Sequence, residues 1–198
     1  MSIADTLLLL ERRDTELRQQ LIREGRLGDG YHPAMERLHD ANAGELRKII
    51  AEIGYPTAAK VGPEASRAAW VVVQHAIGHP ALLRRCATLL AEAVNDGEAD
   101  PLPLAYLTDR IAVREGRPQR YGTQFDWDES GQLSPNPCDD PDRVAARRLS
   151  LGLPSLAEAT ATMRQRSAAE NDGPPTDAAR RHREYQQWRY RVGWAEEA

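Results

Sequence analysis

Two adjacent polar residues, Gln74 and His75, lie in an otherwise apolar segment, GPEASRAAWVVVQHAIGHP. The segment predicts a helix from Gly62 to Gly78 that is apolar on almost every face, and such a helix belongs in the middle of a domain. A buried polar group is costly unless it is hydrogen-bonded. The pair therefore indicates a buried polar network. Histidine, whose charge changes near neutral pH, suits a general acid or base there, but a core histidine bonded to a carbonyl or carboxylate explains the pattern equally.

A second polar pair, Asp109-Arg110, interrupts the strongly apolar segment LAYLTDRIAVRE. Adjacent residues of a helix project about 100° apart, so the two side chains should meet different partners. The Asp109 carboxylate is predicted to orient His75, fix its tautomer and stabilise an imidazolium. Arg110 would then clamp an anionic group of a substrate. A structural salt bridge, or a cap on a nearby loop, is the alternative role for Asp109.

A polar segment, Tyr121-Gly122-Thr123-Gln124, follows the helix that ends before Pro118. Gly122 allows close backbone approach, and the side chains of the other three can form hydrogen bonds. Tyr121 and Gln124 are predicted to contact a substrate, and Thr123 or Tyr121 could serve as a nucleophile or acid beside His75. Alternatively, the tyrosine packs and the glutamine satisfies backbone groups at the start of a hairpin.

Neither a metal ion nor a cofactor is predicted. His75 and His79 have the spacing that lets two imidazoles share an ion on one helical face, but Gly78 and Pro80 break the helix there. The segment DWDESG resembles the first half of a calcium loop, yet the position of its bidentate acid holds Pro137. A hairpin turn explains that segment better.

The elements that must position these residues are mostly helices. The first helix carries an apolar stripe in which Asp14 fills one slot, the other members being Ile3, Leu7, Leu10, Leu17 and Leu21. We predict a mostly α fold, a helical bundle around the buried central helix, with one small β-hairpin near 121–135. Residues 1–168 would form the helical domain, 169–175 a linker and 176–198 a C-terminal amphipathic helix.

The C-terminal segment, RRHREYQQWRYRVGW, is basic and aromatic. Within it Tyr185, Trp188 and Val192 fall on one helical face, which predicts packing on the core, on a second copy or on a protein partner through 177–194. Nucleic-acid binding is not expected, because the whole chain is acidic, with a net charge of -4.

Composition predicts a soluble cytoplasmic protein that binds no membrane. No stretch reaches about 18 apolar residues, and the Leu7–Leu10 run is too short for a signal segment. Two cysteines, Cys86 and Cys138, are too few for a disulfide framework and are expected to be reduced thiols.

Five motifs in order resemble an uncharacterised bacterial family, domain of unknown function 6624: GYPTAAKVG, AAWVVVQHA, LAYLTDRIAV, GRPQRYGTQ and DDPDRVAARRLSLGLPSL. The resemblance covers Gly54 to Leu156. It implies no reaction, but it directs attention to the polar residues in these motifs, namely Gln74, His75, Asp109, Arg110, Tyr121 and Gln124.

These observations predict a cytosolic bacterial protein with a polar pocket for a small molecule or peptide. The residues do not decide whether the pocket is catalytic; if it is, the reaction would be a His-dependent hydrolysis or group transfer. His75 and Asp109 would be catalytic, with Gln74, Arg110, Tyr121 and Gln124 binding the substrate. The competing hypothesis is a non-catalytic interaction module that uses the aromatic C-terminal helix.

Overall fold

The fold is mostly α-helical with one two-stranded hairpin, as predicted. The structure, a computed structural model, describes residues 1–26, 30–170 and 173–196. Its elements are α1 (Ile3–Arg23), α2 (Pro33–Ile53), α3 (Ala58–Val61), α4 (Pro63–His75), α5 (Pro80–Asn95), α6 (Pro101–Arg114), β1 (Phe125–Trp127), β2 (Leu133–Pro135), α7 (Pro141–Ser150), α8 (Leu156–Ala169) and α9 (Ala178–Val192). No helix among these is long and apolar enough to cross a membrane.

Local sequence explains where the helices begin. Ser2 caps α1 in a capping box with Asp5, and proline occupies the first turn of α2, α4, α5 and α7, where its missing N–H has no intrahelical partner to lose. The central helix α4 ends at His75, three residues before the predicted Gly78. This early end makes His75 the last helical residue, beside the start of the turn that leads to α5.

The chain divides into two compact units, Met1–Asp100 and Pro101–Ala198. The predicted limits, with a linker at 169–175 and a terminal helix at 176–198, stay a prediction. Part of that linker and the last two residues, 171–172 and 197–198, lie outside the described residues.

In the first unit α4 lies among α1, α2, α3 and α5. Its buried side chains are small, which lets the neighbouring helices approach closely: Ala65, Ala68, Ala69, Val72 and Val73. The other helices of this unit contribute larger buried apolar side chains, among them Leu7, Leu10, Leu46, Leu83 and Leu90. Burial of such side chains supplies about 1.5–3 kcal/mol each, which is the main stabilisation of this unit.

The second unit combines α6, the hairpin and three further helices. Strands β1 and β2 are antiparallel, with Asp126 opposite Ser134. The calcium-like segment is a turn, because the Asp128 carboxylate accepts hydrogen bonds from Ser130, Gln132 and Ser134. These bonds, led by that from the Ser130 side chain, hold the pKa of Asp128 well below its usual range.

Candidate active site

A buried carboxylate on α1, Asp14, lies between two histidines from other helices. The Nδ1 atom of His75 is 2.8 Å from Oδ2 of Asp14 in a well-formed hydrogen bond. The Nε2 atom of His39, on α2, is 2.9 Å from the same oxygen but is poorly aligned for a hydrogen bond. Only 2% of the Asp14 side chain is exposed, so the solvent screens these contacts weakly.

Tyr31 extends this cluster on the far side of His39. Its hydroxyl is 2.7 Å from Nδ1 of His39, and the two rings stack with centroids 5.7 Å apart. The His39 and His75 rings are also close, with centroids 5.0 Å apart. Tyr31, His39, Asp14 and His75 thus form one continuous polar cluster within the first unit, which we call the Asp14 cluster.

The Asp14 carboxylate is ionised at neutral pH. Burial raises the pKa of Asp14, but the contacts with His39 and His75 lower it by more, so the pKa lies well below its ordinary value. A carboxylate that stays charged in a buried place stabilises positive charge on an imidazole beside it. Asp14 can therefore stabilise the imidazolium that forms when His75 takes a proton.

His75 offers one ring nitrogen for chemistry. Because a carboxylate only accepts hydrogen bonds, Nδ1 of His75 carries the proton that is donated to Asp14, and in the neutral ring Nε2 then carries the lone pair. About a third of the side chain (35%) is exposed, and Nε2 has no hydrogen-bond partner among the described residues. This arrangement suits a general base whose tautomer and orientation are fixed by a carboxylate.

The same three groups could also hold a metal ion. Asp14, His39 and His75 each offer one ligand atom, and these atoms lie within 4.8 Å of one another. Two histidines and a carboxylate with open positions form a known class of catalytic metal site. The Tyr31 contact to Nδ1 of His39 is the kind of outer hydrogen bond that orients a ligating imidazole.

The predicted partner of His75, Asp109, has a different role. It is fully buried, and its carboxylate accepts hydrogen bonds from the backbone N–H groups of Arg120, Tyr121 and Thr123 and from the Thr123 hydroxyl. Asp14 is the carboxylate hydrogen-bonded to His75, whereas Asp109 caps the loop that follows α6. The loop needs such an acceptor because its N–H groups have no strand or helix to pair with.

Two predicted substrate-binding residues, Arg110 and Gln124, line one cleft in the second unit. The cleft has a volume of about 420 Å³ and also takes in Thr123, Trp127 and Arg181. Tyr121 does not line it and contributes backbone groups to the loop instead. Its carbonyl oxygen accepts a 2.6 Å bond from Nη1 of the buried Arg148. Gln74 is buried within α4, in the first unit.

His79 leaves the face of α4 that carries His75, as the Gly78 and Pro80 breakers predict. It lies just before α5, with Nδ1 2.7 Å from Nη2 of Arg47 and Nε2 2.9 Å from Oδ1 of Asp40. Burial and the nearby Arg47 lower the pKa of His79, although Asp40 opposes them. His79 therefore belongs to a separate polar group, outside the Asp14 cluster.

The aromatic face of α9 is occupied within the second unit. Tyr185 and Trp188 stack with centroids 6.0 Å apart, and the Arg114 guanidinium lies 5.2 and 5.3 Å from their ring centres. Arg189 adds a 2.7 Å hydrogen bond from Nε to the Arg114 carbonyl. This packing matches the predicted stripe through Tyr185 and Trp188.

Gly122 should be the least replaceable glycine of the loop. Its φ of +66° is unfavourable for other residues, and an added Cβ would lie 2.7 Å from Cδ1 of Leu156 and 3.2 Å from Sγ of Cys138. We expect Gly122→Ala to lower the free energy of unfolding by about 2–4 kcal/mol, because the left-handed backbone cost and overpacking add together.

Gly152→Ala is the matched control, because Gly152 has a φ of +65° but nothing within 4 Å of an added Cβ. Urea denaturation should show the smaller loss, about 1–2 kcal/mol, for the control. Equal losses would mean that the contact with Leu156 relaxes freely.

The comparison with known families covers both units. The family of unknown function DUF6624 matches residues 2–168. The chain belongs to this family. The match includes the Asp14 cluster, Asp109 and the loop between α6 and β1, and it ends before α9. No curated protein and no solved structure matches the chain significantly.

Three members of the Asp14 cluster, Asp14, His39 and Tyr31, are not among the site residues predicted from the sequence. Asp14 is visible in the sequence as a charged residue in the apolar stripe of α1. His39 gives a similar signal, since it stands on the buried face of α2 with Met35 and Leu46, at helical spacings. Tyr31 lies before α2 and has no periodic signal.

Proposed function

We propose that the chain is an enzyme in which His75, oriented by Asp14, acts as a general base and acid in hydrolysis or group transfer. The observation that carries this proposal is the 2.8 Å bond from Nδ1 of His75 to a buried, ionised carboxylate, with Nε2 left for a substrate. Both reaction classes need a group that takes a proton and returns it.

For hydrolysis, Nε2 of His75 takes a proton from water as the water oxygen bonds to a carbonyl or phosphoryl centre. The bond to the leaving group then breaks, and the imidazolium returns the proton to the leaving group. Asp14 stabilises the imidazolium between these steps without taking the proton itself. In group transfer a substrate hydroxyl takes the place of water. Cys86 is not a nucleophile here, because burial raises the pKa of its thiol to about 12.

A hydrolysis screen with p-nitrophenyl esters and p-nitrophenyl phosphates tests the proposal. For whichever probe is turned over, His75→Gln should lower kcat/KM by roughly 10²–10⁴-fold, the usual contribution of a general base. The matched control is His79→Gln, which removes a histidine outside the Asp14 cluster and should leave kcat/KM unchanged. Equal activity in wild type and His75→Gln, with both folded by circular dichroism, contradicts the proposal.

Nitrogen NMR of the histidine rings shows which nitrogen of His75 carries the proton, and it tests the proposal even when no probe is hydrolysed. His75 should show the Nδ1–H tautomer in its neutral form, and Asp14→Asn should abolish that preference. A neutral His75 that carries its proton on Nε2 contradicts a base at that atom, whatever the screen finds.

A divalent metal centre is the second candidate function of the same cluster. It is favoured by the Nε2 atom of His39, which is buried 2.9 Å from Oδ2 of Asp14 and yet has no well-aligned hydrogen bond. Calorimetric titration with Zn²⁺ should show one site that His39→Ala removes and His79→Ala leaves intact. Activity that persists in EDTA supports the metal-free base, whereas activity that EDTA removes and Zn²⁺ restores supports the metal.

A further inference from the structure

A second cavity of the second unit lies between α7 and the start of α8, and we call it the α7–α8 groove. Its volume is about 300 Å³, at the lower end of the range that holds small organic ligands. Most of its lining is aliphatic and comes from Val144, Ala145, Leu149, Leu153 and Leu156. No aromatic ring is among the described residues that line it, so the groove suits an aliphatic chain better than a planar ring.

The edge of this groove leaves apolar surface in water. Leu149 is 79% exposed, although Val144, on the same helix, is buried. A ligand chain that lies along the groove would remove part of the Leu149 side chain from water. Burial of each methylene of such a chain strengthens binding by about fourfold.

One buried cation, Arg148, also lines the groove and has an open nitrogen. The residue is 3% exposed. Its Nε donates a 2.7 Å hydrogen bond to the Pro154 carbonyl, and its Nη1 donates bonds of 2.6 and 3.3 Å to the carbonyls of Tyr121 and Gly122. Among the described residues its Nη2 has no hydrogen-bond partner, and solvent still reaches this atom. Nη2 can therefore donate to a ligand.

The positive charge of Arg148 is only partly compensated. Its protein acceptors are neutral carbonyls, and no carboxylate of the described residues forms an ion pair with it. Burial lowers the pKa of Arg148, and its polar neighbours, Asp109 among them, offset this only in part. The oxygens of Asp109 already accept bonds from the loop N–H groups. An anion at Nη2 would thus form a charge-assisted hydrogen bond with a weakly solvated guanidinium.

The other polar groups of the lining are already paired. Oδ2 of Asp139 lies 2.9 Å from Nη1 of Arg147, so these two charges offset each other. The Ser155 hydroxyl donates a 2.7 Å bond to the Glu158 carboxylate and accepts one from the Glu158 N–H. A head group in the groove therefore meets one open donor nitrogen, which suits a carboxylate with its single charge better than a phosphate, whose charge calls for several donors.

From these observations we propose that the α7–α8 groove binds a short aliphatic carboxylate, with the carboxylate on Nη2 of Arg148 and the chain along Val144, Leu149 and Leu153. The proposal concerns binding by the second unit and does not depend on catalysis at His75. Its test measures binding directly, so either proposal can fail without the other.

The probes are hexanoate, butanoate, 1-hexanol and hexylamine, followed by methyl NMR shifts of labelled full-length protein at constant ionic strength. Hexanoate should bind saturably, with the largest shifts at the methyl groups of Val144, Leu153 and Leu156. Butanoate, which is two methylenes shorter, should bind roughly 15-fold more weakly. The alcohol and the amine should each bind at least tenfold more weakly than hexanoate, because neither offers an anion to Arg148. Fragments of this size typically bind in the millimolar range, so titration to about 20 mM is needed.

Two variants locate the binding. Ala145→Trp fills the groove from an exposed position of α7 and leaves Arg148 in place, so it should weaken hexanoate binding at least tenfold. Ala146→Trp is the matched control, because Ala146 is the next exposed residue of α7 and lies outside the lining; it should change nothing. Arg148→Met should also weaken binding at least tenfold, and if this variant does not fold, the comparison with 1-hexanol tests the same cation.

Three results would overturn the proposal. They are the absence of saturable hexanoate binding, equal binding of 1-hexanol and hexanoate, and an affinity for hexanoate that Ala145→Trp leaves unchanged.

Discussion

Asp109→Asn is expected to lower the free energy of unfolding by about 4 kcal/mol or more, the cost of disrupting a buried charged network. The carboxylate meets only donors, three backbone N–H groups and one hydroxyl. An asparagine would replace one acceptor oxygen with an NH₂ group that faces these donors, leaving buried groups unpaired. Urea denaturation at pH 7 measures the loss.

Two milder variants test whether the loss of stability comes from the buried carboxylate or from any change in the same region. Thr123→Val removes one bond to Asp109 and should cost about 1 kcal/mol. Asp126→Asn alters a half-exposed ion pair with Arg181 and should cost less than about 1 kcal/mol. A loss below about 1 kcal/mol for Asp109→Asn would show that the loop does not depend on this carboxylate.

Asp14→Asn should lower the free energy of unfolding by about 2–4 kcal/mol at pH 7, because hydrogen bonds to a buried charged group contribute about 1.5–3 kcal/mol each. The well-aligned bond from His75 is the larger part, and the contact with His39 adds to it. Asp40→Asn is the control. Asp40 also contacts a histidine, His79, but its side chain is 54% exposed, so its loss should cost less than about 1 kcal/mol.

The contribution of Asp14 should also depend on pH in one direction. The folded pKa of Asp14 lies below the unfolded value of about 3.9, so its stabilisation is fully present above that value and is lost as the pH falls through the folded pKa. The difference between wild type and Asp14→Asn should therefore shrink as the pH falls from about 4 to about 2. A difference that does not shrink over this range would mean that the folded protein does not hold the carboxylate in its charged form.

The helices and the hairpin were predictable because their signals are local. Proline at the first turn, the Gly and Pro breakers and the apolar stripes place most element ends within a few residues of those observed. The main shift concerns α4, which ends at His75 rather than Gly78. Its C-cap residue, Ala76, leaves the helical conformation with a ψ of 35°, and no sequence signal marks that point.

The candidate site was harder to predict, because pairing between distant residues is a tertiary property. His75 was identified from an apolar helix with a polar end, but its carboxylate partner lies 61 positions away, on α1. Asp109, like Asp14, is a charged residue in an apolar helix, and for this reason the sequence favours it as the partner of His75. That feature indicates a buried carboxylate in both cases and does not say which donors surround it.

Gln119 connects the hairpin to the loop before it, so the two segments should open to solvent together. Its backbone bonds to Pro137 and Asp139, while its fully buried side chain bonds to Gln124 and Asn136. The strands themselves have three residues each, too short to be stable alone. Opening either segment must break the bonds of this one residue, so the amide hydrogens of Gln124, Asn136 and Asp139 should exchange with solvent at a common rate.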